Sequence, residues 1–152
     1  MPRKFAFSDD GSRYHTLKYH NRQFWGRPVY KAVVDAGFTC PNIDGSCGYG
    51  GCIYCSGGSG YFTAPELTVS EQIRRETVRI RSAHPEAGII AYFQSHTNTY
   101  GSLERMREVY SQALECGICG ISAATRADCL DSARAEYLAS LPLPVTVELG
   151  LQ

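Results

Sequence analysis

Four cysteines lie close together in one glycine-rich stretch of the chain, residues 40–55. Three of them, Cys40, Cys52 and Cys55, are separated by eleven and then by two residues, and Tyr54 directly precedes the last. Thiolates gathered on one flexible loop are typical ligands of soft metal ions and iron–sulfur clusters. The ring of Tyr54 would add a flat surface beside the bound group. The spacing therefore predicts a metal or cluster site.

Two ligand sets are compatible with this spacing. Three thiolates at a cluster would leave one iron without a protein ligand, and a substrate or cofactor could take that open position, as at a catalytic zinc. Alternatively, all four thiols, including Cys47, could form a non-catalytic zinc-binding module. In the first set Cys47 is a free thiol, unless it replaces one of the three ligands.

The remaining cysteines and the histidines have simpler interpretations. Cys116 and Cys119 form a Cys-x2-Cys pair, but the 60 residues between Cys55 and Cys116 exceed the usual gap of a zinc ribbon. We expect buried or free thiols there and at Cys129. The histidines have no partner at a ligand spacing: His15, His20, His84 and His96. His96 could line the site, although a surface turn is the simpler expectation.

Composition limits the class of protein. The chain has 152 residues, 43% of them hydrophobic, which suffices for one globular domain. The first residues lack the apolar core of a signal peptide, and no run approaches the roughly 18 apolar residues of a membrane span. Clustered thiols in such a chain favour a cytoplasmic, reducing location and no membrane partner.

The charge balance is zero overall but uneven along the chain. Residues 1–31 carry a net charge of +5, interleaved with seven aromatic residues, and the remainder carries −5. Basic and aromatic side chains together can bind RNA through phosphate contacts and base stacking. The alternative is an arm that packs its aromatic rings on the body of the protein and leaves its charges in water.

Alternating strand and helix signals predict the elements that must position the thiols. Strands are expected at 29–35, 88–94, 120–125 and 145–151, and a turn at 57–60. Helices are expected from a cap at Ser70 to about 81, from a cap at Ser102 to about 115, and over 132–141. The order βαβαβαβ predicts a parallel sheet with three crossover helices. The second strand is almost continuously apolar, which is typical of a strand covered on both faces.

The last predicted strand runs to the end of the given sequence. An apolar edge strand without a covering helix is a liability for pairing with other chains, and a complete β/α barrel needs about 250 residues. We therefore expect part of a larger barrel, with residues 1–28 as a basic-aromatic N-terminal arm and 29–152 as the N-terminal part of the barrel core. A complete four-stranded open sheet is the alternative.

The motifs resemble a known family. Residues 35–45 and 50–56 are similar to the cysteine loop of radical S-adenosylmethionine (SAM) proteins of the YhcC/YtqA type, relatives of the Elongator catalytic subunit. Further matches follow at 91–94, 97–100, 121–130 and 147–152, so the resemblance covers essentially the whole chain. It implies a partial radical SAM (β/α) barrel.

The resemblance implies a cofactor and its ligands. Cys40, Cys52 and Cys55 would bind a [4Fe–4S] cluster, and the amino and carboxylate groups of SAM would chelate the fourth iron. Reductive cleavage of SAM would give a 5′-deoxyadenosyl radical that abstracts hydrogen from the substrate; the cofactor carries this chemistry and the protein orients it. The other SAM contacts implied are Tyr54, Gln94, Thr97, Asn98, Arg126, Glu148 and Gln152.

The resemblance also implies partners: an electron donor such as flavodoxin or ferredoxin, and tRNA as the substrate, modified at a wobble uridine. Two features depart from the family pattern, the extra thiol Cys47 and Ala127 in place of a usual proline. The later strands of the barrel are missing from the given sequence. An inert truncated product is therefore an alternative to an active enzyme.

Overall fold

A computed structural model describes residue 8 and residues 11–55 and 63–151 of the chain. The four strands are β1 (Val29–Val34), β2 (Gly88–Phe93), β3 (Gly120–Arg126) and β4 (Val145–Gly150). The helices are α1 (Leu17–Trp25), α2 (Val69–Ala83), α3 (Leu103–Leu114) and α4 (Ser132–Ala139). Most of the first ten residues, the turn predicted at 57–60 and Gln152 lie outside the described residues.

The strands form one parallel sheet in the order β1-β2-β3-β4. Within each strand, the buried side chains that join the core are two positions apart, for example Ala32 and Val34 on β1, and Ala91 and Phe93 on β2. Side chains alternate between the faces of a strand. Helices α2, α3 and α4 therefore cover the same face, as crossover connections of one hand produce. The predicted α/β class with four parallel strands is confirmed, and it is consistent with a partial barrel.

The opposite face of the sheet, which we call the open face, is less covered. Its side chains Ile90 and Tyr92 on β2 are only half-buried. The apolar run of β2 predicted cover on both faces, and the crossover helices provide it on one. The open face is the face that would turn inwards if the sheet continued to curve into a barrel.

The start of α2 differs from the prediction. Thr68, not Ser70, is the N-cap: its hydroxyl accepts from the Glu71 N–H, while the Glu71 carboxylate accepts from the Thr68 N–H at 2.8 Å. This reciprocal capping box satisfies two main-chain donors, whereas Ser70 lies inside the helix. The cap predicted at Ser102 is confirmed, because its hydroxyl accepts from the Arg105 N–H at 3.1 Å.

Helix α1 is an addition to the predicted elements, inside the N-terminal arm. It begins after the N-cap Thr16 and ends at Trp25, before the C-cap Gly26, which has a left-handed φ of 65°. The Trp25 ring packs on Gly120 at the start of β3, where a Cβ atom would lie 2.8 Å from the ring. Helix α1 thus lies at the amino ends of the strands. Among the described residues, no helix is both long and apolar enough to cross a membrane.

Candidate functional site

A cleft of about 380 Å³ opens at the carboxyl ends of β3 and β4. The thiol-bearing residues Cys40, Cys52 and Cys55 all line it, and we call it the thiol cleft. Its other walls are Ile43, Gly51, Tyr54, His96, Thr97, residues 124–126 and residues 148–150. The structure thus brings together the three cysteines that the sequence separates by eleven and by two residues.

The first limb of the cysteine loop is fixed by contacts with the body of the protein. The buried Gln72 side chain on α2 accepts from the Asp35 N–H at 2.9 Å and donates to the Asp35 carbonyl at 2.8 Å. The Thr97 N–H donates to the Thr39 carbonyl at 3.2 Å. These bonds anchor both sides of the turn that delivers Cys40 to the end of the sheet.

Inside the loop, short-range bonds bring the second pair of thiols back towards Cys40. The Gly51 N–H donates to the Asn42 carbonyl at 2.8 Å, and the Asn42 amide donates to the Cys52 sulfur at 3.2 Å. Gly51 has a φ of 79°, and a Cβ atom there would lie 3.3 Å from the Cys55 sulfur. The glycine therefore serves both the positive φ and the close approach of the thiol.

Cys47 does not line the thiol cleft. It is exposed and lines a separate cavity of about 290 Å³ together with Cys129 and Arg134. The four cysteines of the loop thus divide into three that face one cleft and one that does not.

The thiols are not arranged as a complete metal-binding site. Within residues 8, 11–55 and 63–151, no group of three or more His, Cys, Asp or Glu side chains is placed to hold a metal ion. No disulfide joins any of the seven cysteines, all of which lie in the described part of the chain. Cys116 and Cys119 are half-buried and donate to the carbonyls of Gln112 and Ile89, and burial raises the pKa of both thiols. These contacts agree with the expectation of buried or free thiols at that junction.

Arg126 presents a fixed cation to the cleft. Its Nε and Nη2 atoms donate to the two carboxylate oxygens of Asp128 at 2.9 and 2.6 Å. That bidentate pair, opposed by partial burial and assisted by the nearby Cys40 thiol, raises the pKa of Arg126. Its Nη1 atom is buried and makes no hydrogen bond with the described residues. An unpaired buried donor costs free energy, so this atom is suited to an anionic or carbonyl oxygen of a bound molecule.

Among the described residues that line the cleft, Glu148 is the acidic one. Its Oε1 atom accepts from Lys31 Nζ and, at 2.6 Å, from the Ser122 hydroxyl. Burial opposes ionisation, but the hydrogen bonds from Lys31, Ser122 and Tyr92 outweigh it and lower the pKa of Glu148. An ionised carboxylate therefore lies at one wall of the cleft with a guanidinium on β3 nearby.

Tyr54 lies beside the thiols with its ring 66% exposed. Its hydroxyl forms a hydrogen bond with Cys52, which raises the pKa of Tyr54. An exposed ring at the mouth of the cleft is available for stacking on a planar group.

The other predicted contacts are placed differently. Thr97 is buried and lines the cleft, but Gln94 and Asn98 are not among its lining residues. Gln94 extends the sheet through a main-chain bond to Val34 at 3.1 Å. Asn98 is fully buried, and its amide nitrogen donates to the carbonyls of Phe93, Ser95 and Ala124. The prediction for Gln152 falls outside the described residues.

Two lining residues with polar side chains were not among the predicted contacts. His96 was expected in a surface turn, yet it is half-buried, lines the cleft and bonds the Phe38 carbonyl through Nδ1 at 3.1 Å. It is the one non-glycine residue with a positive φ, 58°, among those described. Thr125 is buried and shares a 2.6 Å hydrogen bond with Thr99. Its position at the end of β3, next to Arg126, was the available signal.

These features define an α/β protein with a four-stranded parallel sheet and a thiol-lined cleft at the carboxyl ends of its strands. No protein-family model and no solved structure matches the chain.

Curated relatives exist in bacteria and an archaeon. The chain is 42% identical to the uncharacterized protein YtqA of Bacillus subtilis (strain 168) over 156 residues, covering 97% of this chain and 48% of that protein. It is 33% identical to protein YhcC of Escherichia coli (strain K12), covering 84% of this chain and 42% of that protein. It is 28% identical to the uncharacterized protein MJ0486 of Methanocaldococcus jannaschii, covering 82% of this chain and 39% of that protein. The chain therefore spans less than half the length of these relatives.

Proposed function

We propose that the chain is part of a radical SAM enzyme, with a [4Fe–4S] cluster on Cys40, Cys52 and Cys55. The observation that carries this proposal is the division of the loop thiols: three line one cleft with Arg126, and Cys47 faces elsewhere. Three thiolates leave one iron open for an exogenous ligand, whereas a structural zinc site closes with four protein ligands. The donor set of the cleft therefore fits a cluster that also binds a small molecule.

The polar groups of the cleft fit the chemistry of SAM. Its carboxylate needs a donor, and the Arg126 Nη1 atom is buried without an acceptor. Its hydroxyl groups need an acceptor, and the Glu148 carboxylate lines the same cleft. Its adenine needs a planar contact, and the Tyr54 ring is exposed at the mouth. These groups would bind and orient the molecule before any reaction.

When bound, the cluster and SAM would supply one-electron reductive chemistry and the abstraction of a hydrogen atom from the substrate. The protein's own contribution is to hold the reactants and to exclude water. Ile43 and Leu149 give the cleft apolar walls between its polar groups. The electron would come from a small carrier such as flavodoxin or ferredoxin, in a reducing cytoplasm.

Anaerobic reconstitution with iron and sulfide tests the cluster. We expect broad absorption near about 400 nm, as for thiolate-bound iron–sulfur clusters, and its loss in Cys52→Ala. Cys47→Ala is the matched control, since its thiol lies on the same loop outside the cleft, and it should retain the absorption. If the chain instead binds zinc without acid-labile sulfide, and both variants lose the zinc, the loop is a four-cysteine zinc module. Equal iron binding by Cys52→Ala and the unaltered chain would refute the ligand assignment.

We further propose tRNA as the substrate class. The supporting observation is the exposure of basic and aromatic residues on and before α1. Arg13, Lys18 and Arg22 are exposed. Tyr14 and Phe24 are 69% and 58% exposed. Such side chains contact phosphates and stack on bases.

Filter binding of tRNA at several salt concentrations tests this substrate class. Replacing Lys18 and Arg22 by Ala should weaken binding and lower the salt slope by about 2, because each removed cation would otherwise neutralise about one phosphate. The control pair is Arg74 and Arg75, which are exposed on α2. Equal binding by both double variants would refute the role of α1.

A further inference from the structure

An ion pair crosses the open face of the sheet from its first strand to its last. Lys31 on β1 donates to Glu148 on β4, although β2 and β3 lie between them. The Lys31 Nζ atom lies 3.8 Å from the centroid of the Tyr92 ring on β2, and the Ser122 hydroxyl on β3 donates to the same Glu148 oxygen. We call these four residues, one from each strand, the four-strand cluster.

The four-strand cluster is not an ordinary surface ion pair. Surface pairs join two flexible side chains in water and contribute little. Here the lysine ammonium group lies over an aromatic ring, and the carboxylate has three partners from three strands. Only about a third of each charged side chain is exposed, 36% for Lys31 and 35% for Glu148. The orientation of the carboxylate is therefore restricted from several sides.

Glu148 is the member of the cluster that reaches the thiol cleft. It lines the cleft, whereas Lys31, Tyr92 and Ser122 do not. On its other side, Glu148 and Lys31 line a cavity of about 480 Å³ between the open face and α1. Lys31 is therefore placed to act on the thiol cleft through the Glu148 carboxylate.

We propose that Lys31 is a positioning residue that holds the Glu148 carboxylate as the hydrogen-bond acceptor of the thiol cleft for hydroxyl groups of a bound nucleoside. The inference has two halves: that Lys31 positions Glu148 (the positioning half), and that Glu148 accepts from a bound nucleoside (the ligand half). The ligand half rests on the proposed function. Because Lys31 neutralises the carboxylate, Glu148 offers lone pairs with little net charge. That environment suits neutral hydroxyl donors better than an ammonium group, which would meet the lysine charge close behind.

The charged and titratable groups that face Glu148 come from each neighbouring element. They are Lys31 from β1, Tyr92 from β2, Arg126 at the end of β3, His20 of α1, and, across the thiol cleft, Tyr54, His96 and the three thiols. Of these, Lys31 is the cation paired directly with the carboxylate. Removing it leaves two neutral donors, Tyr92 and Ser122, so the carboxyl group should take up a proton at higher pH than in the unaltered chain.

Equilibrium dialysis of SAM against the anaerobically reconstituted chain tests the ligand half. We expect Lys31→Met to keep its iron and to bind SAM about tenfold more weakly, the effect of one hydrogen-bond acceptor that is no longer held in place. Its affinity should also fall as the pH drops through the raised Glu148 pKa. Arg75→Met is the control, since this exposed cation on α2 lies outside the thiol cleft and the four-strand cluster, and it should bind SAM normally. In a Glu148→Gln background, Lys31→Met should add no further loss.

Carbon-13 NMR of the glutamate carboxyl groups tests the positioning half without any cofactor. Glu148→Gln identifies the resonance, and Lys31→Met should move its titration to higher pH. An unchanged titration would overturn the positioning role, whatever binds in the cleft. An unchanged SAM affinity and pH profile in Lys31→Met, with the cluster intact, would overturn the ligand half. A chain that binds iron but no SAM would overturn the ligand half together with the SAM assignment, and the titration would still decide the role of Lys31.

Discussion

Replacing Asn98 by Ala should destabilise the protein, because its buried amide joins the end of β2 and the turn after it to β3, beside the thiol cleft. The Nδ2 atom donates to the carbonyls of Phe93, Ser95 and Ala124 at 3.1, 3.0 and 3.0 Å. An amide has two N–H groups, so the three carbonyls share about two hydrogen bonds. The Ala124 carbonyl would keep a partner in the Asn98 N–H at 3.0 Å, but the carbonyl groups of Phe93 and Ser95 would lose this donor.

The change in the free energy of unfolding follows from the hydrogen bonds that are lost and from the unpaired polar atom that is removed with them. Two net hydrogen bonds contribute about 0.5–1.5 kcal/mol each, and a stranded buried carbonyl costs about 1–3 kcal/mol. Against this, the substitution removes the Asn98 Oδ1 atom, which is itself buried without a hydrogen-bond partner in the described part of the chain. The free energy of unfolding should therefore fall by about 2 kcal/mol. With a urea m-value of about 2 kcal/mol per molar, the midpoint should move by about 1 M.

Urea unfolding followed by circular dichroism measures this shift. Gln23→Ala in α1 is the control, since that amide is exposed and its loss should change stability by less than about 0.5 kcal/mol. The reasoning would be refuted by an Asn98→Ala variant that unfolds at the normal urea concentration but loses SAM binding. That result would make Asn98 a direct cofactor contact instead of a structural bridge.

Three further predictions concern other parts of the fold. Gly120→Ala should lower the free energy of unfolding by about 1–3 kcal/mol because its Cβ atom would meet the Trp25 ring. The loss should be smaller in a Trp25→Leu background. Urea unfolding of the unaltered chain, the two single variants and the double variant would show whether it is. Thr68→Ala should cost about 1 kcal/mol by removing the cap of α2, whereas Ser70→Ala should cost almost nothing, and equal costs in thermal unfolding would contradict the capping box. Burial, assisted by Asp128, raises the pKa of Cys129 to about 11. Its alkylation rate, measured by mass spectrometry, should therefore keep rising about tenfold per pH unit from pH 8 to 10, and a plateau near pH 9 would exclude the shift.

Much of the fold could be predicted because its signals are local. Each strand is a short apolar or β-branched run, and each crossover helix shows apolar residues at helical spacing, so element types and order follow from periodicity. The error at the start of α2 has a local cause too. Thr68 and Ser70 both precede apolar helical positions, and only the reciprocal bonds with Glu71 distinguish the real cap.

The site could be predicted less completely, since its geometry depends on contacts distant in sequence. The grouping of Cys40, Cys52 and Cys55 follows from their spacing on one loop. The pairing of Lys31 with Glu148 joins residues 117 positions apart and depends on the strand order. Asn98 and Thr97 are adjacent polar residues in the same turn, yet one is a buried bridge and the other lines the cleft. A turn that reverses within three residues sends neighbouring side chains in different directions, and composition does not reveal which.

The polarity of the open face separates two interpretations of this sheet. In a doubly wound sheet a second layer of helices would bury that face, and its strands would carry apolar side chains there. Instead, the open face carries Lys31, Ser122 and Glu148 in one hydrogen-bonded network. Covering these groups with apolar helices would leave charges in a medium of low dielectric constant, which is costly even for paired ions. A barrel interior that binds a polar molecule has no such conflict, so the distribution of charge favours the partial barrel over an open sheet.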